Sequence, residues 1–137
     1  MYQTYLITGA TGFLGRAVLQ LLLAHSCRVL ALVMDKDPLA YTIPENVTVF
    51  CGDLTDKDTL RSFFAAGGDN FCVLHCAGMV SIASRPGEII YRVNVDGTQN
   101  IIDLCCEFGA EKLVYVSSVH AIAEKPAPQT ITEPNHF

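Results

Sequence analysis

The stretch Thr8-Gly9-Ala10-Thr11-Gly12-Phe13-Leu14-Gly15 decides the fold of this chain. It follows a run rich in β-forming residues, 2–8, and leads into apolar residues that recur at helical spacing from Leu14 onward. Glycines at three-residue intervals let the backbone turn sharply between a strand and a helix. The amides freed at the start of that helix can bind phosphate, so the stretch predicts a dinucleotide-binding turn.

Each glycine of this turn has its own expected role. Gly9 allows the sharp exit from the strand, and Gly12 lets the backbone come against a pyrophosphate. Gly15 lets the helix pack closely on the sheet. The positive end of the helix dipole would add to the attraction for phosphate. A tight turn without a ligand is the alternative interpretation.

Strand and helix patterns alternate along the rest of the chain. Four more strands are predicted at residues 28–34, 47–51, 71–77 and 113–118, and two more helices at residues 56–66 and 88–108. This alternation predicts an α/β fold, a doubly wound parallel sheet of the Rossmann type with strand order 3-2-1-4-5. The ligand crevice is then expected at the carboxyl ends of strands 1 and 4.

The predicted domain organisation is simple. We expect residues 1–123 to form one nucleotide-binding domain. Residues 124–137 contain three prolines and no periodic pattern, and they are expected to be a loop that leads to a missing C-terminal region.

Composition excludes several classes of partner. Half of the residues are hydrophobic, and the formal net charge of −5 argues against nucleic acid. No apolar run is long enough for a membrane span, and no signal peptide is recognised. The six cysteines form no CxxC pair, so we expect no metal site and mostly buried, reduced thiols. A cytoplasmic location follows from these expectations.

The glycine-rich stretch resembles the TGxxGxxG turn of the short-chain dehydrogenase/reductase superfamily, and TGATGFLG is typical of its extended branch, the NAD-dependent epimerase/dehydratase type. Four later segments resemble family motifs and come in family order: Cys51-Gly52-Asp53-Leu54, Val73-Leu74-His75-Cys76-Ala77-Gly78, Asn94-Val95-Asp96-Gly97-Thr98-Gln99-Asn100 and Val114-Tyr115-Val116-Ser117-Ser118. Residues 29–34 most resemble the dihydroflavonol-reductase and 3β-hydroxysteroid-dehydrogenase-like group.

The resemblance implies a set of residues that bind NAD or NADP. Asp53 would accept a hydrogen bond from the adenine amino group, although a turn-forming Asp that caps the next helix is the alternative. Small residues after strand 4 would let the ribose and phosphates pass close to the backbone. The expected cofactor-binding residues are Gly9, Thr11, Gly12, Phe13, Leu14, Gly15, Asp35, Asp53, Leu54, Cys76, Ala77 and Gly78.

Three further residues receive structural roles from the same resemblance or from their spacing. His75 is expected to be a packing histidine at a strand end, because no carboxylate or nucleophile is spaced to use it. Asn94 would brace the neighbouring strand, and Gly97 would allow close packing of the helix.

Ser118 is the expected catalytic residue, with Ser117 as the alternative, because it matches the family's serine at the end of strand 5. It would hydrogen-bond a substrate carbonyl or hydroxyl. The family's acid/base pair, Tyr-x-x-x-Lys, has no match, since no tyrosine here has a lysine four residues later. We therefore expect the chain to be part of a longer enzyme and to be inactive alone, with a natural short nucleotide-binding protein as the alternative.

Cofactor preference stays open at this point. The position of the ribose-binding acid is Val33 and that of the phosphate-binding arginine is Met34, while Asp35 follows late. The leading hypothesis for function is an NAD(P)-dependent oxidoreductase or epimerase that transfers hydride at a carbonyl or hydroxyl carbon of a small molecule. The alternatives are a non-catalytic dinucleotide-binding or redox-sensing module and a sugar-nucleotide dehydratase or epimerase that retains NAD. The helix that begins near Glu88 resembles one that extended relatives use to dimerise, so the resemblance implies a homodimer through it.

Overall fold

One parallel sheet organises the chain in a computed structural model that describes residues 2–81, 87–122 and 125–132. Its five strands are arranged in the order β3-β2-β1-β4-β5, as predicted. The strands are β1 (Thr4–Thr8), β2 (Arg28–Val33), β3 (Thr48–Cys51), β4 (Phe71–His75) and β5 (Lys112–Tyr115). Strands β2 and β3 lie on one side of β1, and β4 and β5 lie on the other. The switch point of the sheet is therefore between β1 and β4.

Helices connect the strands as the sequence pattern indicates. Helix α1 (Phe13–Ala24) follows β1, and a 3₁₀ turn (Lys57–Leu60) runs into the short helix α2 (Arg61–Ala65). The predicted helix at 88–108 is present but not uniform. It consists of α3 (Glu88–Tyr91), a π-helical turn (Arg92–Asp96) and α4 (Gly97–Phe108), and it stops at Gly109 in the left-handed conformation, with φ of 69°.

Alternation of side chains along the strands divides the core between the two faces of the sheet. Leu6 and Leu30 point to the face covered by α2 and α4, where three buried phenylalanines pack edge to face with their neighbours. Ile7 and Ala31 point to the opposite face, against α1. Because both faces of β1 and β2 are covered, the residues of these strands are almost all buried, as expected for a parallel sheet.

The strand β5 differs from the central strands because it lies at the edge of the sheet. Within the residues that the structure describes, it pairs with β4 alone, from Cys72↔Lys112 to His75↔Tyr115. Val114 is 41% exposed and Tyr115 is 47% exposed.

Two predictions need correction. The expectation of mostly buried cysteines is wrong, since only Cys72 and Cys105 are buried and Cys51 and Cys106 are exposed; all six are free thiols. The helix predicted at 56–66 begins as the 3₁₀ turn and is α-helical only over its last residues. Of the predicted loop 124–137, the structure describes residues 125–132, which form no helix or strand; the others lie outside the described residues.

Candidate functional site

A cavity of about 240 Å³ opens at the carboxyl ends of β1, β2 and β4. This is the switch point of the sheet, where ligands bind in open α/β proteins. Apolar side chains, glycines and two carboxylates form its wall, and the described lining contains no Lys, Arg or His. The lining residues are Thr8, Gly9, Thr11, Gly12, Leu32, Val33, Met34, Asp37, Gly52, Asp53, Leu54, Cys76, Ala77, Gly78, Met79 and Val93.

Residues 8–15, called here the glycine turn, form one rim of this cavity. Gly9 has a φ of 70°, and a Cβ at this position would lie 2.7 Å from the Ala77 amide nitrogen. Gly12 donates its amide to the Gly9 carbonyl at 3.0 Å, and among the described residues a Cβ there would touch only that carbonyl, at 3.2 Å. The lack of a Cβ on Gly9 therefore lets the turn pack against the segment just after β4. Gly12 instead presents bare backbone to the cavity.

Gly15 is buried under the turn. A Cβ at this position would lie 2.0 Å from the Gly9 carbonyl oxygen and 3.1 Å from the Ala10 Cα. The expected close approach of helix to sheet is therefore made to the glycine turn itself. Gly15 is the residue that lets the turn fold back over the first turn of α1.

The amino end of α1 is suited to an anion. Its N-cap is Gly12, which has no side chain to occupy the first amides, and its first turn contains no acidic residue. Arg16 lies in that turn and donates from Nη2 to the Thr11 carbonyl at 3.2 Å. The helix dipole, the amides and this guanidinium give the rim a positive character.

Asp37 is a carboxylate of the cavity wall that the sequence pattern did not single out. Its Oδ2 accepts a hydrogen bond from the Thr11 hydroxyl at 2.8 Å, and its Oδ1 accepts from the Leu39 amide at 2.9 Å. These bonds hold the half-buried side chain in the wall, next to the glycine turn. The signal that could have found it is the second acid of Asp35-Lys36-Asp37.

Asp35, the predicted residue, lies elsewhere. Its side chain is 81% exposed beside Lys36, whose Nζ is 3.9 Å from the Asp35 carboxylate, and it does not line the cavity. The backbone explains the difference, because Lys36 has a φ of 56°. This left-handed residue turns the chain after β2 and brings Asp37 back to the glycine turn.

The segment after β3 forms the opposite side of the cavity. Asp53 Oδ1 accepts hydrogen bonds from the Thr55 amide and hydroxyl, both at 2.8 Å, which is the turn-forming role given as its alternative. The cap of the following 3₁₀ turn is Asp56, not Asp53. Asp53 nevertheless lies in the cavity wall.

Leu54 is held in place by the long helix. A Cβ on Gly97 would lie 2.9 Å from the Leu54 Cβ, and Asn100 donates from Nδ2 to the Leu54 carbonyl at 2.8 Å. The predicted packing role of Gly97 is confirmed. It brings the helix against the cavity wall, where Val93 also contributes.

Residues 76–79 continue β4 and line the cavity beside the glycine turn. Burial raises the pKa of the Cys76 thiol, so this side chain stays protonated near neutral pH. Asn94 bonds the Met79 backbone twice, accepting from its amide at 2.7 Å and donating to its carbonyl at 2.8 Å. The brace predicted for Asn94 therefore exists, and it acts on the segment after β4.

His75 packs at the end of β4, as predicted. It is completely buried, between the hydroxyls of Thr8 and Thr98, and its ring stacks on Tyr115. Burial lowers its pKa to about 4, so the imidazole is neutral at physiological pH.

Five predicted site residues lie outside the cavity wall: Phe13, Leu14, Gly15, Asp35 and Ser118. Phe13 is 98% exposed and Leu14 is 44% exposed, so we expect these residues to meet a ligand on the turn through their amides. Ser118 follows the end of β5 and is exposed, and its carbonyl accepts from the Ala121 amide at 3.0 Å. It lies beyond the strand next to β4, at the same end of the sheet as the cavity.

Two other kinds of site are absent from the described residues. No group of three or more His, Cys, Asp or Glu side chains in this part of the chain could hold a metal ion. None of its helices has the length and apolar character needed to cross a membrane.

Comparison with known sequences gives one consistent family. The profile of the 3-beta hydroxysteroid dehydrogenase/isomerase family matches residues 6–136. The chain is 37% identical over 125 residues to 3 beta-hydroxysteroid dehydrogenase type 7 of Rattus norvegicus, covering 86% of this chain and 36% of that protein. It is 33% identical over 138 residues to a putative dihydroflavonol 4-reductase of Synechocystis sp., covering 97% of this chain and 38% of that protein.

Comparison with solved structures agrees on the architecture. The UDP-glucose 4-epimerase of Thermus thermophilus, crystallised in complex with NAD, superposes with a TM-score of 0.80 at 28% identity. That match covers 95% of this chain and 42% of the epimerase. The chain therefore spans about two fifths or less of the length of these relatives.

Proposed function

Because this chain belongs to the 3-beta hydroxysteroid dehydrogenase/isomerase family, we propose that it is the NAD(P)-binding portion of an oxidoreductase or epimerase. The observation that carries the proposal is the cavity at the switch point, one rim of which is bare backbone at the amino end of α1. A dinucleotide needs such a rim, since its pyrophosphate must approach closer than any Cβ allows. The glycines present fit this group.

The pyrophosphate would lie on the glycine turn. Gly12 would allow the close approach, and the amides of Phe13 and Leu14 would donate to phosphate oxygens. Arg16 adds a positive charge to the same turn, since its guanidinium already contacts the Thr11 carbonyl. Phe13 and Leu14 would make these contacts through their backbone amides, and their exposed side chains would take no part.

The adenine ring would occupy the side of the cavity formed by residues 52–54. Asp53 would accept from the adenine amino group through the oxygen that Thr55 does not use. Leu54, Val33 and Met34 would pack against the ring, since all three line the same cavity. The faces of the ring would then contact apolar side chains, and its edge would be hydrogen-bonded. Small-molecule sites usually combine these two kinds of contact.

The cofactor would be NAD in preference to NADP. Asp37 holds a carboxylate in the wall between the glycine turn and the end of β2, where the adenine ribose of a dinucleotide lies. A carboxylate accepts hydrogen bonds from ribose hydroxyls and repels a 2′-phosphate. Met34 offers no guanidinium to offset that repulsion.

Once bound, the cofactor supplies hydride chemistry at a carbon that bears a hydroxyl or carbonyl group. Residues 76–78 would border the path toward the nicotinamide. Ser118, beyond the end of the adjacent strand, would hydrogen-bond the reacting oxygen. Proton transfer would fall to residues outside this sequence, because the relatives are more than twice its length and no Tyr-x-x-x-Lys pair lies within it.

A direct test is calorimetric titration of the purified chain with NADH, with ADP-ribose as competitor. We expect saturable one-to-one binding that ADP-ribose displaces, since the competitor carries the adenosine and pyrophosphate that the cavity would hold. Absence of saturable binding would contradict the proposal. NADPH should bind more weakly than NADH.

A retained-cofactor epimerase is the second candidate, because the epimerase with the TM-score of 0.80 was crystallised with NAD. The two candidates differ in whether the cofactor remains on the enzyme through purification. Nicotinamide dinucleotide released by denaturing the freshly purified full-length enzyme would favour the epimerase. An empty enzyme that exchanges cofactor freely would favour the dehydrogenase.

A homodimer would use the long helix formed by α3, the π turn and α4. Four large apolar side chains on this unit are exposed: Ile89, Tyr91, Val95 and Ile102. Light scattering should show a dimer for the wild type and a monomer for Val95→Glu, with NADH binding unchanged. A monomeric wild type would contradict this assignment.

The free thiols of the chain suit a reducing location such as the cytoplasm.

A further inference from the structure

A chain of hydrogen bonds runs beneath the cavity wall, and His75 lies at its centre. His75 Nδ1 lies 2.7 Å from the Thr8 hydroxyl at the end of β1, and Nε2 lies 3.1 Å from the Thr98 hydroxyl in α4. The ring is fully buried and stacks on Tyr115 of β5, with centroids 5.5 Å apart. One side chain thus joins two neighbouring strands and the long helix.

The partners fix the direction of each bond. The Thr98 hydroxyl donates its single proton to the Asn94 carbonyl at 2.7 Å, so toward His75 it can only accept. Nε2 must then carry the ring proton. A neutral imidazole has one such proton, so Nδ1 accepts from the Thr8 hydroxyl. The Thr8 oxygen in turn accepts from the Ala77 amide at 3.3 Å.

Both ends of this chain reach the cavity wall at residues 77–79. At one end, Thr8 holds the Ala77 amide. At the other end, Asn94 holds the Met79 backbone through two bonds. The π turn supplies Asn94 and ends just before Gly97. Thr8 therefore holds the wall from β1, and Asn94 holds it from the long helix. The His75 imidazole connects these two groups of bonds.

The position of this wall matters to the glycine turn. A Cβ on Gly9 would lie 2.7 Å from the Ala77 nitrogen and 2.8 Å from its Cα, so turn and wall are in direct contact. Movement of residues 77–79 would change the width of the cavity at this contact. Burial keeps the imidazole neutral near pH 7 by lowering its pKa, which preserves the bond directions.

We infer that His75 is a positioning residue whose neutral imidazole, protonated on Nε2, fixes residues 77–79 against the glycine turn and thereby sets the affinity for the dinucleotide. The effect on affinity rests on the proposed function. The tautomer and the order of the wall do not, so the two proposals can fail separately.

The first test is the ¹⁵N spectrum of the histidine rings in the wild-type chain at pH 7 without cofactor. The His75 signals, identified by their loss in His75→Gln, should show a protonated Nε2 and an unprotonated Nδ1. A proton on Nδ1, or rapid exchange between tautomers, would overturn the inference.

The second test uses Thr98, which does not line the cavity. Thr98→Val removes the acceptor of the Nε2 proton, whereas Thr98→Ser keeps it. We expect faster amide exchange at Ala77 and Met79 in Thr98→Val, and about tenfold weaker NADH binding, with both restored in Thr98→Ser. Unchanged exchange and affinity in Thr98→Val would overturn the inference.

His75→Leu replaces the imidazole by an apolar group of similar size and should have the same effects as Thr98→Val. If His75→Leu does not fold, the Thr98 pair carries the test alone. If the wild type binds no NADH, the proposed function fails, and amide exchange together with the ring spectrum still decides whether His75 fixes the wall.

Discussion

The carboxyl ends of β1 and β2 form adjacent parts of one cavity, yet they are built on different principles. After β1, backbone contacts require two of the glycines: a Cβ on Gly9 or Gly15 would lie within 3 Å of neighbouring main-chain atoms. After β2, the decisive group is a side chain, Asp37, held by two hydrogen bonds on an otherwise exposed loop. In the proposed function, steric requirements would fix the phosphate site, and a replaceable carboxylate would tune the choice of cofactor.

The largest effect should come from Gly15→Ala. Its Cβ would lie 2.0 Å from the Gly9 carbonyl oxygen, and this main chain cannot move away cheaply. We expect a loss of about 3 kcal/mol in the free energy of unfolding, measured by urea denaturation, together with loss of NADH binding. Gly87→Ala is the control, since among the described residues a Cβ there would have no atom within 4 Å beyond its own chain neighbours and helix backbone. Equal stability of the two variants would contradict the assignment of Gly15.

Gly12→Val should separate binding from folding. The Gly12 backbone is in the ordinary extended region, with φ of −74°, and in the described part of the chain a Cβ meets only the Gly9 carbonyl, at 3.2 Å. We expect the unfolding free energy to change by about 1 kcal/mol or less, whereas calorimetry should detect no NADH binding. Retained affinity in a folded variant would show that the pyrophosphate does not lie on the glycine turn.

Asp37→Asn should change cofactor choice with little effect on the fold. Removing the charge weakens the bonds to the ribose hydroxyls and relieves repulsion of a 2′-phosphate. The ratio of NADPH to NADH dissociation constants should fall by about tenfold. Asp35→Asn is the matched comparison, since that side chain is 81% exposed and outside the cavity wall. A larger shift in Asp35→Asn would return the role to Asp35.

The smallest effect should come from Thr11→Val, which breaks the bond that joins the two regions. The Thr11 hydroxyl donates to Asp37 Oδ2 at 2.8 Å and so fixes the carboxylate beside the glycine turn. A single hydrogen bond of this kind predicts about threefold weaker NADH binding. Thr11→Ser keeps the hydroxyl and should bind like the wild type. Equal loss in both variants would mean that the methyl group, not the bond, matters.

The same contrast explains what the sequence could and could not predict. The strand order follows from the alternation of strand and helix patterns along the chain. The place of the candidate site follows from the glycine spacing, because a Cβ is not tolerated at Gly9 or Gly15. The role of Asp37 depends on one left-handed residue, Lys36, in a loop without periodic pattern. Nothing in the side chain of lysine specifies that conformation. The sequence therefore favours Asp35, the first acid after strand 2.

The π turn could not be predicted from the sequence for a related reason. Residues 88–108 have one helical stripe, and the pattern predicts a single helix. Within the helix, the Asn94 carbonyl accepts a hydrogen bond from the Thr98 hydroxyl, and the Asn94 side-chain amide donates to the Met79 carbonyl outside it. The contact with Met79 joins segments that are separate in the chain, which a local pattern does not encode.

The most direct test of the proposed dinucleotide site is an amide-resolved NMR titration of the ¹⁵N-labelled wild-type chain with NADH. We predict shifts concentrated at Gly9, Gly12, Gly15, Ala77 and Gly78, with smaller shifts around Asp37 and Asp53. Saturation should occur at one equivalent of NADH. Shifts confined to other surfaces, or an unchanged spectrum at saturating NADH, would contradict the placement of the dinucleotide on the glycine turn.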